Sequence, residues 1–204
     1  MEALRRYTNL SAALRVLQTK KITLLSSESW DDVNDRRLLE LYRKKGDFKS
    51  VLCLCFAKQA ETYHHWKVFS PGTDGICIVF DKTRLLKLLP KTVVHKEVKY
   101  YTVGDLYKSP PGVDDLPFSK RIAYKDEKEF RLLWVSEAEE IRAKEFDIPV
   151  DAIDRLIINP WLPSELAEAI KKAFLETKDF HSVDIVRSTI TDGPSWRRFA
   201  DGYS

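Results

Sequence analysis

The sequence predicts an α+β fold. Two short runs, residues 51–56 and 75–80, carry apolar side chains at nearly every position. That pattern suits central strands covered on both faces. Helical spacing recurs at 12–18, 38–45, 82–89 and 165–177, without the regular strand–helix alternation of a doubly wound sheet. The 204 residues are 44% hydrophobic, enough to bury a core and to exclude global disorder. One domain over 1–190 and a loosely docked tail over 191–204 are expected.

The elements follow in order. Residues 5–8 read as a first strand, and Asn9 or Ser11 caps a helix over 12–18. A strand at 22–25 precedes a polar stretch at 26–36, expected as an irregular loop containing the turn pair Asn34 and Asp35. Gly46 stops the helix at 38–45. The aromatic-rich segment between the two central strands ends in a Gly turn. Pro90 ends the helix at 82–89, and 93–101 is expected as one long strand rich in β-branched and aromatic residues. Five Pro and Gly with several Asp make 104–117 a loop. After a strand at 155–158, Ser164 is expected to cap a helix over 165–177, with Leu166, Ala169, Ile170, Ala173 and Phe174 as its apolar stripe. A last strand is expected within 184–190.

Charge and cysteine usage narrow the function classes. The formal net charge of +3 permits an anionic partner but is no nucleic-acid signature. Cys53, Cys55 and Cys77 all lie in apolar runs, so core thiols are expected rather than a disulfide framework or a Cys-x-x-Cys site. No apolar run reaches the length of a membrane span and the N-terminal residues lack a signal-peptide core, which implies a cytoplasmic address. Gly-x-Gly-x-x-Gly, the phosphate-binding Gly-Lys loop, His-Glu-x-x-His and Gly-x-Ser-x-Gly are all absent. Four His without matching Cys or carboxylate spacing give no metal site.

The segment 125–134 is the most informative. Read as a strand, it places Glu127, Glu129 and Arg131 on one face and Phe130, Leu132 and Trp134 on the other. Two carboxylates beside a guanidinium suit acid–base work, and equally suit a solvated face with ordinary ion pairs. Trp66 and Phe69, three apart, share a helical turn that packs on a core or covers a ligand ring. Arg6 and Tyr7 lie on the first strand, where a Tyr can line a base pocket or be half-buried. Trp196, Arg197 and Arg198 can clamp nucleic acid or remain a solvated tail.

Together these pieces resemble bacterial domain-of-unknown-function family 2971. An Arg-Tyr-Thr strand before a helix is matched by Arg6, Tyr7 and Thr8. A serine-rich loop ending in Asn34-Asp35 follows, with Arg36 where the family has Pro. Cys55-Phe56, Trp66 with Phe69 in place of Tyr, the run from Gly75 to Asp81, Val98-Lys99-Tyr100, the Glu-x-Glu-aromatic-Arg run from Glu127 to Arg131, and Ile148-Pro149 complete the match.

The resemblance implies a distant likeness to the ADP-ribosyltransferase fold, a split mixed β-core of two small sheets with flanking helices around an NAD-holding cleft. It implies NAD as substrate, cleaved for ADP-ribosyl transfer or hydrolysis in bacterial defence or toxicity, with an unidentified acceptor, nucleic acid among them. Glu127 and Glu129 become the catalytic pair. Glu129 faces the ribose and Glu127 the acceptor, or the reverse. Arg6, Tyr7, Trp66 and Arg131 become the cofactor-binding set. The alternatives are a non-catalytic nucleotide- or nucleic-acid-binding module of the same fold and an interaction module.

Overall fold

A computed structural model describes residues 2–176 and 183–202. In chain order the regular elements are β1 (Ala3–Asn9), α1 (Leu10–Thr19), β2 (Lys21–Ser26), α2 (Val33–Lys45), β3 (Ser50–Ala57), α3 (Tyr63–Phe69), β4 (Gly75–Asp81), α4 (Lys82–Leu88), β5 (Val94–Glu97), β6 (Lys99–Tyr101), α5 (Val103–Lys108) and β7 (Ser119–Arg121). There follow β8 (Glu129–Ser136), β9 (Ala143–Asp147), β10 (Ile153–Ile158), α6 (Ser164–Leu175), β11 (Asp184–Arg187) and α7 (Pro194–Asp201). Mixed sheet pairing with flanking helices makes the chain α+β, as the order of elements implies. No helix among the described residues is long and apolar enough to cross a membrane. The chain divides into two compact units.

The first unit takes the chain up to Lys21, Gln59–Lys87, and everything from Ile148 onward. Its central strand is β4, buried at every residue. β1 and β10 flank β4, both antiparallel, and β11 adds in parallel beyond β10. The all-apolar run therefore sits where both faces are covered. Asn9 caps α1 by accepting the Ala12 N–H at 2.8 Å, and Ala13 and Leu17 turn inward. Gly75 tolerates no side chain. A Cβ there would meet Ser70 Oγ at 2.4 Å and Asn159 Nδ2 at 2.8 Å. The buried Asn159 donates to the Gly72 carbonyl at 2.8 Å and accepts from Trp161 N–H at 2.8 Å, tying the turn before β4 to the end of β10.

Two helical expectations change here. Pro163, not Ser164, flanks α6, and it makes no side-chain cap. Its ring fixes φ, so Ser164 is already in the first turn. The buried positions are Ala167 and Phe174, while Leu166 points outward at 54% exposure. Of the expected stripe, Phe174 is buried and Ile170 half-buried, while Ala169 and Ala173 are exposed like Leu166. Thr177, the last residue of the expected helix, lies outside the described residues, as do residues 203–204 of the tail. The described part of the tail forms α7 rather than a frayed end.

The second unit is built from Ile22–Lys58 and Leu88–Asp147. Strand β3 pairs antiparallel with β8 along its whole length and with β2 at Leu52 and Cys53. β5 adds to the far side of β8 and β9 to the far side of β2. A separate parallel pair joins β6 to β7. Leu39 of α2 packs with Val51, Cys53, Phe118 and Leu133 as one apolar cluster. None of the three cysteines forms a disulfide, as expected; Cys53 and Cys77 are buried and Cys55 half-buried, and burial pushes the Cys53 thiol up to about 12.

Several expectations are corrected in this unit. α2 begins at Val33 inside the stretch read as a loop, because the Asp32 carboxylate accepts the N–H groups of Asn34 at 2.9 Å and Asp35 at 3.4 Å. Asn34 and Asp35 are first-turn helical residues, not a turn pair. The long strand at 93–101 breaks at Val98, whose N–H bonds to the Glu129 carbonyl at 2.9 Å, and β6 leaves to pair with β7. The loop at 104–117 contains α5, nucleated by a reciprocal cap between Thr102 and Asp105. Strand β9 was not foreseen, since its polar sequence shows no clear alternation. Replacing the helix cap in Asp32→Ala should cost about 1 kcal/mol of stability, measured by urea denaturation.

Candidate active site

Strand β8 begins at Glu129, not earlier. Ile122–Glu127 forms a 3-10 turn, and Lys128 (φ 43°) sits in the left-handed region. Strand alternation therefore does not extend back to Glu127. The Glu129 N–H is held by the Tyr100 hydroxyl at 2.8 Å, and the Lys128 carbonyl accepts from Lys58 N–H at 3.0 Å. From Glu129 onward, alternation places Glu129, Arg131 and Leu133 on one face. This face is not solvated: Glu129 is 4% and Arg131 0% exposed. It lies under α2 and the Val113–Phe118 turn.

Arg131 is the hub. Its Nε and a terminal nitrogen each reach Glu129 Oε1 at 2.7 Å. Its terminal nitrogens grip Asp35 at 2.9 and 2.7 Å and donate to the Pro117 carbonyl at 2.7 Å. The guanidinium carbon lies 5.1 Å from the centre of the Trp30 ring. The second cation is Lys120. Its ammonium bonds Glu127 Oε2 at 2.6 Å and Glu129 Oε2 at 3.1 Å, and stands 3.9 Å from Asp35. The two glutamates thus meet on one ammonium although they do not share a strand.

Counted as fully ionised, three carboxylates face two cations, a formal excess of one negative charge. Glu129 lies between both cations. Burial alone would raise its pKa, but the Arg131 guanidinium, the Lys120 ammonium and the Cys55 thiol hold it down to about 2. Burial pushes Asp35 up, against the pull of Arg131. Burial likewise pushes Glu127 up, and Lys120 opposes it. The side chain of Glu127 is 15% exposed and that of Glu129 4%. Glu127 is therefore the carboxylate with the more open edge and the weaker hold on its charge.

The other sequence-assigned residues lie in the first unit. Tyr7 and Trp66 come together edge-to-face with ring centroids 5.1 Å apart. Tyr7 is 5% and Trp66 0% exposed. The Trp66 indole N–H donates to Glu61 at 2.8 Å, and the same carboxylate accepts the Ser188 hydroxyl. These rings are packed core. Phe69, stacked on His65 and 38% exposed, is the open ring of the cluster. Arg6 is half-buried, and strand alternation puts it on the face of β1 opposite Tyr7. Arg5 is the arginine on Tyr7's side.

Lys120 and Asp35 are the cluster members that residue patterns did not assign to the site. Asp35 entered as half of a turn pair and through the Asn-Asp motif of the resembling family, not as a partner of the carboxylates. Lys120 lies in the three-residue strand β7, too short for any periodicity to mark.

No family model matches the sequence, and neither does any curated protein. The fold is similar to that of DarT from Thermus sp. 2.9. The complex of that protein with NAD+ is 13% identical, with 92% of this chain and 95% of that one covered at a TM-score of 0.43. For its complex with ADP-ribosylated ssDNA the values are 11%, 92%, 94% and 0.45. For the carba-NAD+ complex they are 12%, 93%, 96% and 0.44.

Because Glu129 ionises more readily folded than unfolded, it stabilises the fold above the ordinary 4.5, and that contribution is lost as pH falls toward about 2. Asp35 and Glu127, raised in the fold, act in the opposite sense and favour the folded state as they protonate. Glu129→Gln should therefore reduce the loss of stability on acidification across that window, followed by urea denaturation at stepped pH. Asp35→Ala, which strands half of the Arg131 charge, should cost about 3–5 kcal/mol.

Proposed function

We propose that this chain is an NAD-dependent ADP-ribosyltransferase whose reacting carboxylate is Glu127. The observation that carries the reading is the excess negative charge of the buried cluster of Asp35, Glu127, Glu129, Lys120 and Arg131. Breaking the bond between ribose C1′ and nicotinamide sends the electron pair out with neutral nicotinamide and leaves positive charge on the ribose. A low-dielectric cluster with one uncompensated carboxylate stabilises that charge as it develops.

The division of labour between the two glutamates follows from their contacts. Both oxygens of Glu129 are occupied, by Arg131 and by Lys120. It acts as a positioning residue, orienting Lys120 and through it Glu127. Glu127 has one oxygen on Lys120 and keeps the other for a ligand. Its raised pKa suits it to take the proton of the acceptor nucleophile as that nucleophile bonds to C1′. Arg131 holds Glu129 and Asp35 in place rather than meeting the cofactor.

Nucleic acid is the acceptor class that one surface favours. On α7, Trp196 is 78% and Phe199 61% exposed, three residues apart beside Arg198. Aromatic faces next to a guanidinium stack bases with little sequence preference. The same surface supports a non-catalytic binding module as the second reading.

The test is release of nicotinamide from NAD by the purified chain, alone and with single-stranded DNA or RNA as acceptor. Glu127→Gln should lower turnover by about 10²–10⁴-fold with an unchanged melting temperature, whereas Glu129→Gln should lower both. A Glu127→Gln protein that turns over like the parent would remove the catalytic assignment. Salt-dependent oligonucleotide binding that weakens in Trp196→Ala, with no nicotinamide released under any condition, would select the binding module.

A further inference from the structure

The second unit contains a further groove, of about 910 Å³, that the carboxylate cluster does not use. One wall is the face of α2 that carries Arg36, Arg37, Glu40 and Arg43. The other is formed by Lys49 just before β3, the 3-10 turn after β2, and the segment Glu140 to Arg142. Helical periodicity explains the wall: residues 33, 36, 37, 40 and 43 fall on one side of the helix. Asp35, between them in sequence, points instead to Arg131.

The cations of this groove divide into two sets. Arg43 is taken up by a bidentate pair with Glu40 at 2.8 and 2.9 Å, and Arg142 stands 3.5 Å from Glu28. Arg37 and Lys49 have no carboxylate within ion-pair distance among the described residues, and both are exposed. Arg36 gives one terminal nitrogen to the Glu28 carbonyl at 2.9 Å, and its Nε is buried without a hydrogen-bond partner. Glu28 and Glu40, each already facing an arginine, and Glu140 are the opposing charges in the lining. Arg36, Arg37 and Lys49 thus line one concavity with no carboxylate in ion-pair distance of any of them among the described residues. Arg37 and Lys49, both exposed, are open to charge-assisted hydrogen bonding with an anion in the groove.

We infer that this groove binds a small organic diphosphate or triphosphate, with its phosphates on Arg36, Arg37 and Lys49. The volume lies within the roughly 300–1,000 Å³ of small-molecule pockets. Val33, Ile141 and the edge of Leu39 supply an apolar surface for the ligand's organic part. The site is separate from the proposed NAD chemistry and does not depend on it.

Titration calorimetry on the full chain at low salt tests this with three probes: inorganic pyrophosphate, ADP, and a 5′-phosphorylated single-stranded oligonucleotide. Saturable pyrophosphate binding is expected, tighter for ADP. Affinity should fall at least about tenfold in Arg37→Glu and in Lys49→Glu, the loss of one charge-assisted contact each. Both positions are exposed, so the melting temperature should stay constant. Glu127→Gln should retain the pyrophosphate site. Absence of pyrophosphate binding, equal affinity in the charge-reversed variants, or binding of the oligonucleotide alone would each overturn the assignment.

Discussion

The buried guanidinium of Arg131 is the group on which the second unit depends. It ties the first turn of α2, through Asp35, to the first turn of the β8 ladder, through Glu129, and also holds the Pro117 carbonyl. A charge with no exposure is sustained only when nearly every donor is matched. Once matched, it specifies how helix and strand sit together more narrowly than apolar packing does. Leu39, Val51, Cys53 and Leu133 supply bulk beside it, but apolar contacts of that kind tolerate sliding, whereas a planar fork does not.

Two backbone features make that arrangement possible. Lys128 in the left-handed region turns the chain between Glu127 and β8, so that the two glutamates reach the same ammonium from different directions. The break at Val98 releases β6 from β8 and brings the Tyr100 hydroxyl to the Glu129 N–H. A continuous strand through both points would have put Glu127 and Glu129 on the same sheet face, about 7 Å apart along the strand. α2 then serves two surfaces at once. Its inward residue Asp35 completes the ion cluster, and its next two residues line the cationic groove.

Legibility in the sequence tracked the range of the interaction responsible. The central strands β3 and β4 were readable because burial on both faces leaves a local signature, an unbroken apolar run. The cap of α1 was readable to within Asn9 or Ser11 because capping acts over three residues, and the structure has it at Asn9. The start of α2 was missed although its cap, Asp32, is equally local. The polar composition of 26–36 suggested turn chemistry, and the capping carboxylate offered the same residues a helix instead. α5 was missed for the same reason. Of the candidate site, Glu127, Glu129 and Arg131 were legible as a cluster of charges, but their solvation was not. Tyr7 and Trp66 do meet, as packed core rings rather than as an open face.

The sequence by itself determined the α+β class, most of the strands and helices, and a concentration of carboxylates next to an arginine late in the chain. These rest on periodicity and composition, which act between near neighbours. Only the tertiary structure decided that Arg131 is buried, that Lys120 and Asp35 complete its cluster, and that one negative charge is left over. Charge balance in a dry interior is a sum over residues as far apart as Asp35 and Arg131, and no local pattern encodes which of them will be brought within 3 Å.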